Sequence, residues 1–355
     1  MEKSDRDALQ NEVGGNGEWV TLLKENTRTG GLGAAALANP GQAKWQMRLG
    51  SSVRTAPVWR EGTVYVTAMQ GFLHAVSADN GRQRWRFKAG GQIYSTPSLH
   101  RDLVLFGCND GCVYAVHAVS GAKAWEAKTD GEVWASPVVL RDLVYFGSGD
   151  GHMYAVEADS GKHRWKQLLG GRIHSTAYAT EEAIYLGCGD GLVHCLDAVT
   201  GKNVWSTATG NGVNSSPALV GDTLVIGSED FFVYGIDAST GTVRWKYETG
   251  LGIASSPAVS NGVAVIGGKD GFLYALEATT GKLKWKVRAG EVITAPPVFG
   301  TGMIYIQSWG LQALDPEDGR ILWRAELGGS IQGAPIVVGK TIYLTSESGD
   351  VYALE

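Results

Sequence analysis

No stretch of this 355-residue chain stays apolar for the length a membrane-spanning helix requires, so insertion by a helix is excluded. The first thirty residues, Met1–Gly30, do not pair a basic start with an apolar core, and no signal peptide is visible. The expectation is a cytoplasmic chain, or one whose export signal was removed ahead of this numbering. Basic residues are in the minority, 31 Lys and Arg against 36 Asp and Glu, and the net charge is −5. A nucleic-acid partner is excluded on that ground, because the phosphate backbone calls for a basic footprint. Cysteine is too scarce, at 4 residues, for a disulfide framework in a chain this long. There is no Gly-x-Ser-x-Gly elbow, phosphate loop or zinc motif, and the 7 histidines show no metal-ligand spacing. No catalytic residue and no metal are therefore expected.

What the chain does have is glycine, 50 residues against 10 prolines, within a composition that is 44% hydrophobic and only 19% charged. Many tight turns joined by short strands and a well-filled core point to an all-β fold. Tryptophan falls at 45, 85, 125, 165, 205, 245 and 285, and then at 323. A proline follows twelve residues later in seven of these eight copies, with Ala177 in the remaining one. After the proline slot come an apolar run such as Leu143-Val144-Tyr145-Phe146-Gly147, a turn such as Gly149-Asp150-Gly151, a second run such as Met153-Tyr154-Ala155-Val156, and a Ser/Thr-Gly turn that leads to the next tryptophan. Each copy reads as four short antiparallel strands, A to D, with no helix: a β-propeller blade. The glycines supply positive φ in the hairpins.

The two ends complete each other. Lys44-Trp45-Gln46-Met47 is a D strand with no A, B or C strand before it, whereas the last copy, ending in Tyr352-Ala353-Leu354, has A, B and C strands but no D strand. We expect residues 41–355 to form a single eight-bladed propeller closed by the N-terminal strand, which removes the open sheet edge, and residues 1–40 to form a flexible leader. Met1–Asn16 is polar and acidic with little to bury, and Gly30–Gly41 reads as a linker across the ring. The repeated indoles could form a ligand-stacking surface, but one per blade at a fixed place suits packing between neighbouring blades better. Trp59 falls in the slot of Leu99, Val139 and Val259 and is expected in the core.

The segments Cys195-Leu196-Asp197-Ala198-Val199-Thr200-Gly201, leading to Trp205, and Gly235-Ile236-Asp237-Ala238-Ser239-Thr240-Gly241, leading to Trp245, resemble the repeat of the pyrroloquinoline-quinone (PQQ) type propellers. Glu157, Glu277, Asp315 and Glu355 hold the acidic slot elsewhere, while Ser77 and His117 depart from it. The resemblance spans about residues 19–355. It implies one of two branches: quinoprotein dehydrogenases that use PQQ and calcium, or non-catalytic propellers, the BamB-like scaffolds and some sensor domains. The dehydrogenases carry long insertions and a pair of adjacent cysteines over the cofactor, and this chain has neither. The non-catalytic branch is therefore expected, as a monomer with a protein or peptide partner, no cofactor, and by resemblance a periplasmic or other extracytoplasmic location. PQQ with calcium belongs to the alternative reading only.

Positions that differ between copies are the place to look for a site. Three residues before the proline slot the blades carry, in order, Arg54, Tyr94, Trp134, His174, Asn214, Ala254, Thr294 and Gln332. Strand A is innermost in a propeller, so these residues should ring one mouth of the central channel. Arg54, Tyr94, Trp134, His174 and Asn214 make a polar and aromatic arc of the kind that binds a ligand or peptide, and Gln92, Glu132 and Arg172 should extend the same face. Trp309, in a shortened hairpin of the seventh copy, is either an exposed anchor on that face or packed on its neighbour. The turn aspartates Asp110, Asp150, Asp190, Asp230 and Asp270 sit singly and suit turn chemistry rather than calcium. His74 and His194 replace a tyrosine and are expected as packed aromatics. Cys188 and Cys195 occupy small buried slots as free thiols, and Cys108 with Cys112 flanks a hairpin turn where a disulfide is left open.

Overall fold

The apolar runs fold as thirty-two strands arranged in eight four-stranded antiparallel sheets. The computed structural model describes residues 43–300, 302–308, 310–327 and 333–355; the expected leader, residues 1–40, lies outside them. The first blade shows the plan: strand A is Val58–Arg60, B is Thr63–Ala68, C is Phe72–Ser77 and D is Gln83–Lys88. Strands B and C are buried along nearly their whole length because a neighbouring blade covers each face. That is why Leu103–Gly107 and Leu143–Gly147 read as continuous apolar runs rather than alternating ones. Strand D forms the outer edge. Its exposed positions carry Arg84, Arg86 and Lys88, which discourage pairing with another chain.

The ring closes as the ends of the sequence require. Ala43–Arg48 pairs antiparallel with Asp350–Leu354, with Trp45 opposite Ala353 and Met47 opposite Val351, and supplies the D strand of the eighth blade. The core accordingly lies between blades rather than within them. One cluster joins Trp45, Tyr343 and Ala353 of the closing blade to Val64, Val66 and Val76 of the first.

Packing between blades is the reason for the tryptophan period. The indole N–H of Trp45, Trp125 and Trp165 donates to the carbonyls of Ala78, Ala158 and Ala198, at 2.8, 2.9 and 3.2 Å, each 33 residues ahead in the next blade. The ring face lies on that blade's turn glycine: a Cβ at Gly81, Gly161 or Gly201 would sit 2.5–2.7 Å from the indole carbons. These glycines have φ near +70°, where a side chain is already strained. The indole therefore needs a bare backbone and the turn needs a glycine. Directly across the C–D ladder the partner must also be small, as Ala115 is opposite Trp125 and Gly235 opposite Trp245. Trp59 is half-buried against the closing cluster rather than fully inside it.

Nearer the axis the blades are tied by hydroxyls. The backbone N–H groups of Ala56, Thr96, Ser136, Thr176 and Ser216 donate to the side-chain oxygens of Thr96, Ser136, Thr176, Ser216 and Ser256, 40 residues on, at 2.9–3.3 Å. All four cysteines are free and buried, so Cys108 and Cys112 form no disulfide; instead the Cys108 N–H donates to the Cys112 carbonyl across the hairpin.

Candidate functional site

The segment entering each strand A carries two kinds of side chain in alternation. Val133, Ile173, Val213 and Ile253 are fully buried. They fill the space over the last glycine of strand B of the preceding blade, where a Cβ on Gly107, Gly147, Gly187 or Gly227 would lie 2.1–2.5 Å from them. Each of these plugs fixes the backbone of the variable residue that follows it. The D–A segments and the B–C hairpins share one end of the ring, held by backbone hydrogen bonds from Asn109 to Gln92, Gly149 to Glu132 and Gly189 to Arg172 at 2.8–2.9 Å.

At that end Tyr94, Trp134 and His174, from three successive blades, form one stack. The Tyr94 and Trp134 rings are 4.9 Å apart at 31°, and Trp134 and His174 are 4.5 Å apart at 18°. Offset stacking at this distance is favourable beyond its area burial. Two polar atoms of the stack, Trp134 Nε1 and His174 Nε2, are buried without a hydrogen-bond partner among the described residues. An unpaired buried donor costs free energy until something meets it. Burial lowers the His174 pKa, with Glu132 opposing and Arg172 adding to the effect, so the ring stacks on the indole in its neutral form.

Charged groups surround the stack in pairs. Arg172 meets Glu132 at 3.2 Å, Lys269 meets Glu229 at 2.7 Å, and Arg54 Nε meets Glu347 at 2.9 Å. Of the residues expected to line this mouth, Tyr94, Trp134 and His174 are brought into mutual contact. Asn214 instead donates to Glu229 at 3.3 Å, and Arg54 is exposed in its ion pair. Trp309 and Gln332 lie outside the described residues. Tyr94 Oη reaches Gln92 at 3.5 Å.

Calcium with a quinone would need six or more converging oxygen ligands. At this mouth the carboxylates of Glu132, Glu229 and Glu347 are each taken by a cation, and no three carboxylates converge anywhere among the described residues. The donor set does not fit that pair. The turn aspartates do act as turn groups: Asp150 Oδ1 accepts the His152 N–H at 2.8 Å. They have a second role that was not apparent in the sequence, since Asp150 Oδ2 accepts the Tyr154 hydroxyl at 2.6 Å, and Asp110 and Asp230 do the same for Tyr114 and Tyr234. His194 is buried, but it also meets Asp190 at 3.0 Å and so is more than a packed ring. Sequence reasoning also missed that Cys188, Asp190 and His194 gather in one blade; the available signal was their coincidence in one copy, since Cys108 and His74 each hold one of these slots alone.

Eight four-stranded blades, seven of them docked on the next by an indole and the ring sealed by the N-terminal strand, define an eight-bladed β-propeller of the PQQ-like repeat type. The model of one family, "Outer membrane protein assembly factor BamB", matches residues 29–172, 166–257 and 248–355, and the chain belongs to that family. No curated protein matches its sequence. Among solved structures it is similar to BamB from Moraxella catarrhalis, at TM-score 0.76 and 19% identity over 88% of this chain and 99% of that one. It is also similar to the computationally designed protein Ika8, at TM-score 0.80 and 16% identity over 88% of this chain and 99% of that one. Quinohemoprotein alcohol dehydrogenase ADHIIG from Pseudomonas putida HK5 superimposes at TM-score 0.85 and 15% identity over all of this chain and 82% of that one. At such identities the likeness establishes the fold, which serves an assembly factor, a designed protein and an enzyme alike. No helix among the described residues is long and apolar enough to cross a membrane.

Proposed function

We propose that this protein is a non-catalytic scaffold, acting as a monomer in a bacterial cell envelope, which captures a protein or peptide segment on the mouth that carries Tyr94, Trp134 and His174. The observation that carries this reading is the three-ring stack with its two unpaired buried nitrogens. Rigid aromatic anchors flanked by paired charges are the composition of a binding hot spot. Membership of the assembly-factor family supports the envelope setting and a protein partner. The cofactor-free reading is supported by the carboxylates of the mouth, each engaged with Arg172, Lys269 or Arg54.

The test is capture of partners from the native organism's envelope extract by the full chain and by the Tyr94→Ala/Trp134→Ala double variant, compared by quantitative mass spectrometry. The partners should be lost from the double variant and retained by a control altered on the outer edge, Arg86→Ala, while far-UV circular dichroism shows all three folded. Equal capture by the double variant would place the contact elsewhere. Turnover of an alcohol or sugar on adding PQQ and calcium with an artificial electron acceptor would overturn the non-catalytic reading outright.

A further inference from the structure

The fourth blade departs from its neighbours at the hairpin between Ala183–Gly187 and Leu192–Asp197. In the second, third, fifth and sixth blades the hairpin aspartate spends Oδ1 on the backbone N–H two residues on, at 2.8–3.1 Å, and Oδ2 on the hydroxyl of a tyrosine four residues on, at 2.5–2.6 Å. Asp190 keeps the first bond, to the Leu192 N–H at 2.9 Å. The second partner is changed: where Tyr154 and Tyr234 stand in the adjacent blades, this blade has His194, with Nε2 3.0 Å from Asp190 Oδ2. Two residues before the aspartate, where those blades have Ser148 and Ser228, it has Cys188. The sulfur, a carboxylate oxygen and an imidazole nitrogen all lie within 4.8 Å of one another, the one such group of three among the described residues.

His194 is held at both ring nitrogens: Nδ1 lies 2.9 Å from the Ser206 hydroxyl and Nε2 lies 3.0 Å from Asp190 Oδ2. A ring fixed by a partner on its remote nitrogen is the arrangement that metal sites use to aim an imidazole. Asp190 Oδ2 is also less occupied than three of its four counterparts. Those of Asp150, Asp230 and Asp270 accept a further backbone N–H, from Asp130, Gly210 and Gly250, whereas Gly170 in the corresponding place, at φ +109°, gives none to Asp190.

We propose that Cys188, Asp190 and His194 bind a divalent transition-metal ion of the zinc class. A thiolate and an imidazole beside one carboxylate select Zn2+ or Co2+ over calcium and magnesium, which take oxygen alone. Cys188 and His194 are buried, while Asp190 sits in an exposed turn through which the ion and a completing water enter. On binding, the Cys188 thiol proton passes to solvent and the sulfur gives up its 3.4 Å contact with the Gly171 carbonyl.

The experiment titrates the metal-stripped full chain with Co2+, following thiolate-to-cobalt charge-transfer absorption, and then displaces the cobalt with Zn2+. One equivalent should bind. The variants Cys188→Ser and His194→Tyr restore what adjacent blades carry at the same places, so they should fold as the parent does, and each should abolish the charge-transfer band. Ser206→Ala, which only frees the ring, should weaken binding by about ten- to a hundredfold, and Cys108→Ser should leave it unchanged. Asp190→Asn supplies a further ligand variant should either replacement lower the melting temperature of the metal-free protein. Absence of the band at excess cobalt, or a band that survives Cys188→Ser or His194→Tyr, would overturn the site.

Discussion

Trp45→Ala is the substitution that probes the closure of the ring. Trp45 is the indole of the N-terminal strand, only 8% exposed, and it bridges the closing blade to the first. Its N–H donates to the Ala78 carbonyl at 2.8 Å, its face covers Gly81, and it lies 5.9 Å from the Tyr343 ring. A buried indole removes roughly 150–250 Å2 from water, which at about 25 cal/mol per Å2 is about 4–6 kcal/mol. Large-to-small replacements of this kind cost about 3–5 kcal/mol, the lower figure reflecting an unfolded chain that is already partly compact. The lost hydrogen bond adds little, because the Tyr343 hydroxyl also reaches the Ala78 carbonyl, at 3.4 Å. We expect a loss of about 4 kcal/mol, matching Trp125→Ala, whose exposure, carbonyl bond and glycine contact are the same in an interior blade.

A double-mutant cycle sharpens the test. Gly81→Ala alone combines the strain of φ +70° with a Cβ 2.7 Å from the indole. In the Trp45→Ala background the clash disappears and only the strain remains, about 1 kcal/mol. The pair should therefore be sub-additive by about 1 kcal/mol or more. Equilibrium urea unfolding followed by far-UV circular dichroism reads all four proteins without relying on the fluorescence that the substitution removes. A Trp45→Ala cost near that of a surface substitution, within about 0.5 kcal/mol, or additivity of the pair, would show that the N-terminal strand does not seal the ring.

Three further outcomes follow from the same packing. Gly147→Ala places a Cβ 2.1 Å from Ile173 Cγ2 and should cost about 1–3 kcal/mol by urea unfolding, and its cost should shrink in an Ile173→Ala background, which removes that methyl; an additive pair would mean that the plug is not the obstacle. Burial pushes the Cys108 and Cys195 thiols up to about 12 and Cys188 to about 11, so iodoacetamide at neutral pH should label no cysteine in the metal-free native protein and four after denaturation without reductant. Labelling of fewer than four would reveal a disulfide. His74, His100 and His174 all have pKa values lowered by burial, so the unfolded chain binds more protons than the folded one just below its histidine pKa of about 6.5. Their contribution to stability should be complete above that pH, decline as pH falls through it, and level off below the folded values. The pH dependence of the urea midpoint checks the sign, and His74→Tyr, the residue that blades two and three carry in that slot, should flatten it.

The period, the blade and the closure were legible because each rests on a residue type that the geometry demands in every copy. An indole needs a glycine to lie on, and strands covered on both faces must be apolar throughout. The Tyr94–Trp134–His174 arc was legible for the opposite reason, as one slot that changes from blade to blade. What could not be read was pairing between side chains that different blades bring together. Glu229 and Lys269 are 40 residues apart, as are Glu132 and Arg172, and nothing local marks them as partners. Cys188 and His194 escaped for a related reason. Each is explained by its own slot, where other blades carry a small or aromatic residue, and only the fold of one hairpin turn brings the two together across six residues.

The placement of the stack also explains how one ring can carry both a rigid frame and a changeable site. In the segment entering strand A, Ile173 plugs the preceding blade and Thr176 ties its neighbours through backbone N–H and hydroxyl, both buried and both held by their partners. His174, between them, stacks on Trp134 at the mouth, and its backbone is fixed from both sides. Substitutions there should cost little stability, whereas the same change one residue earlier would open a cavity between two blades. Tyr94, Trp134, His174 and Asn214 are each flanked by a buried plug and a hydroxyl tie, so this arc can change one blade at a time without loosening the frame.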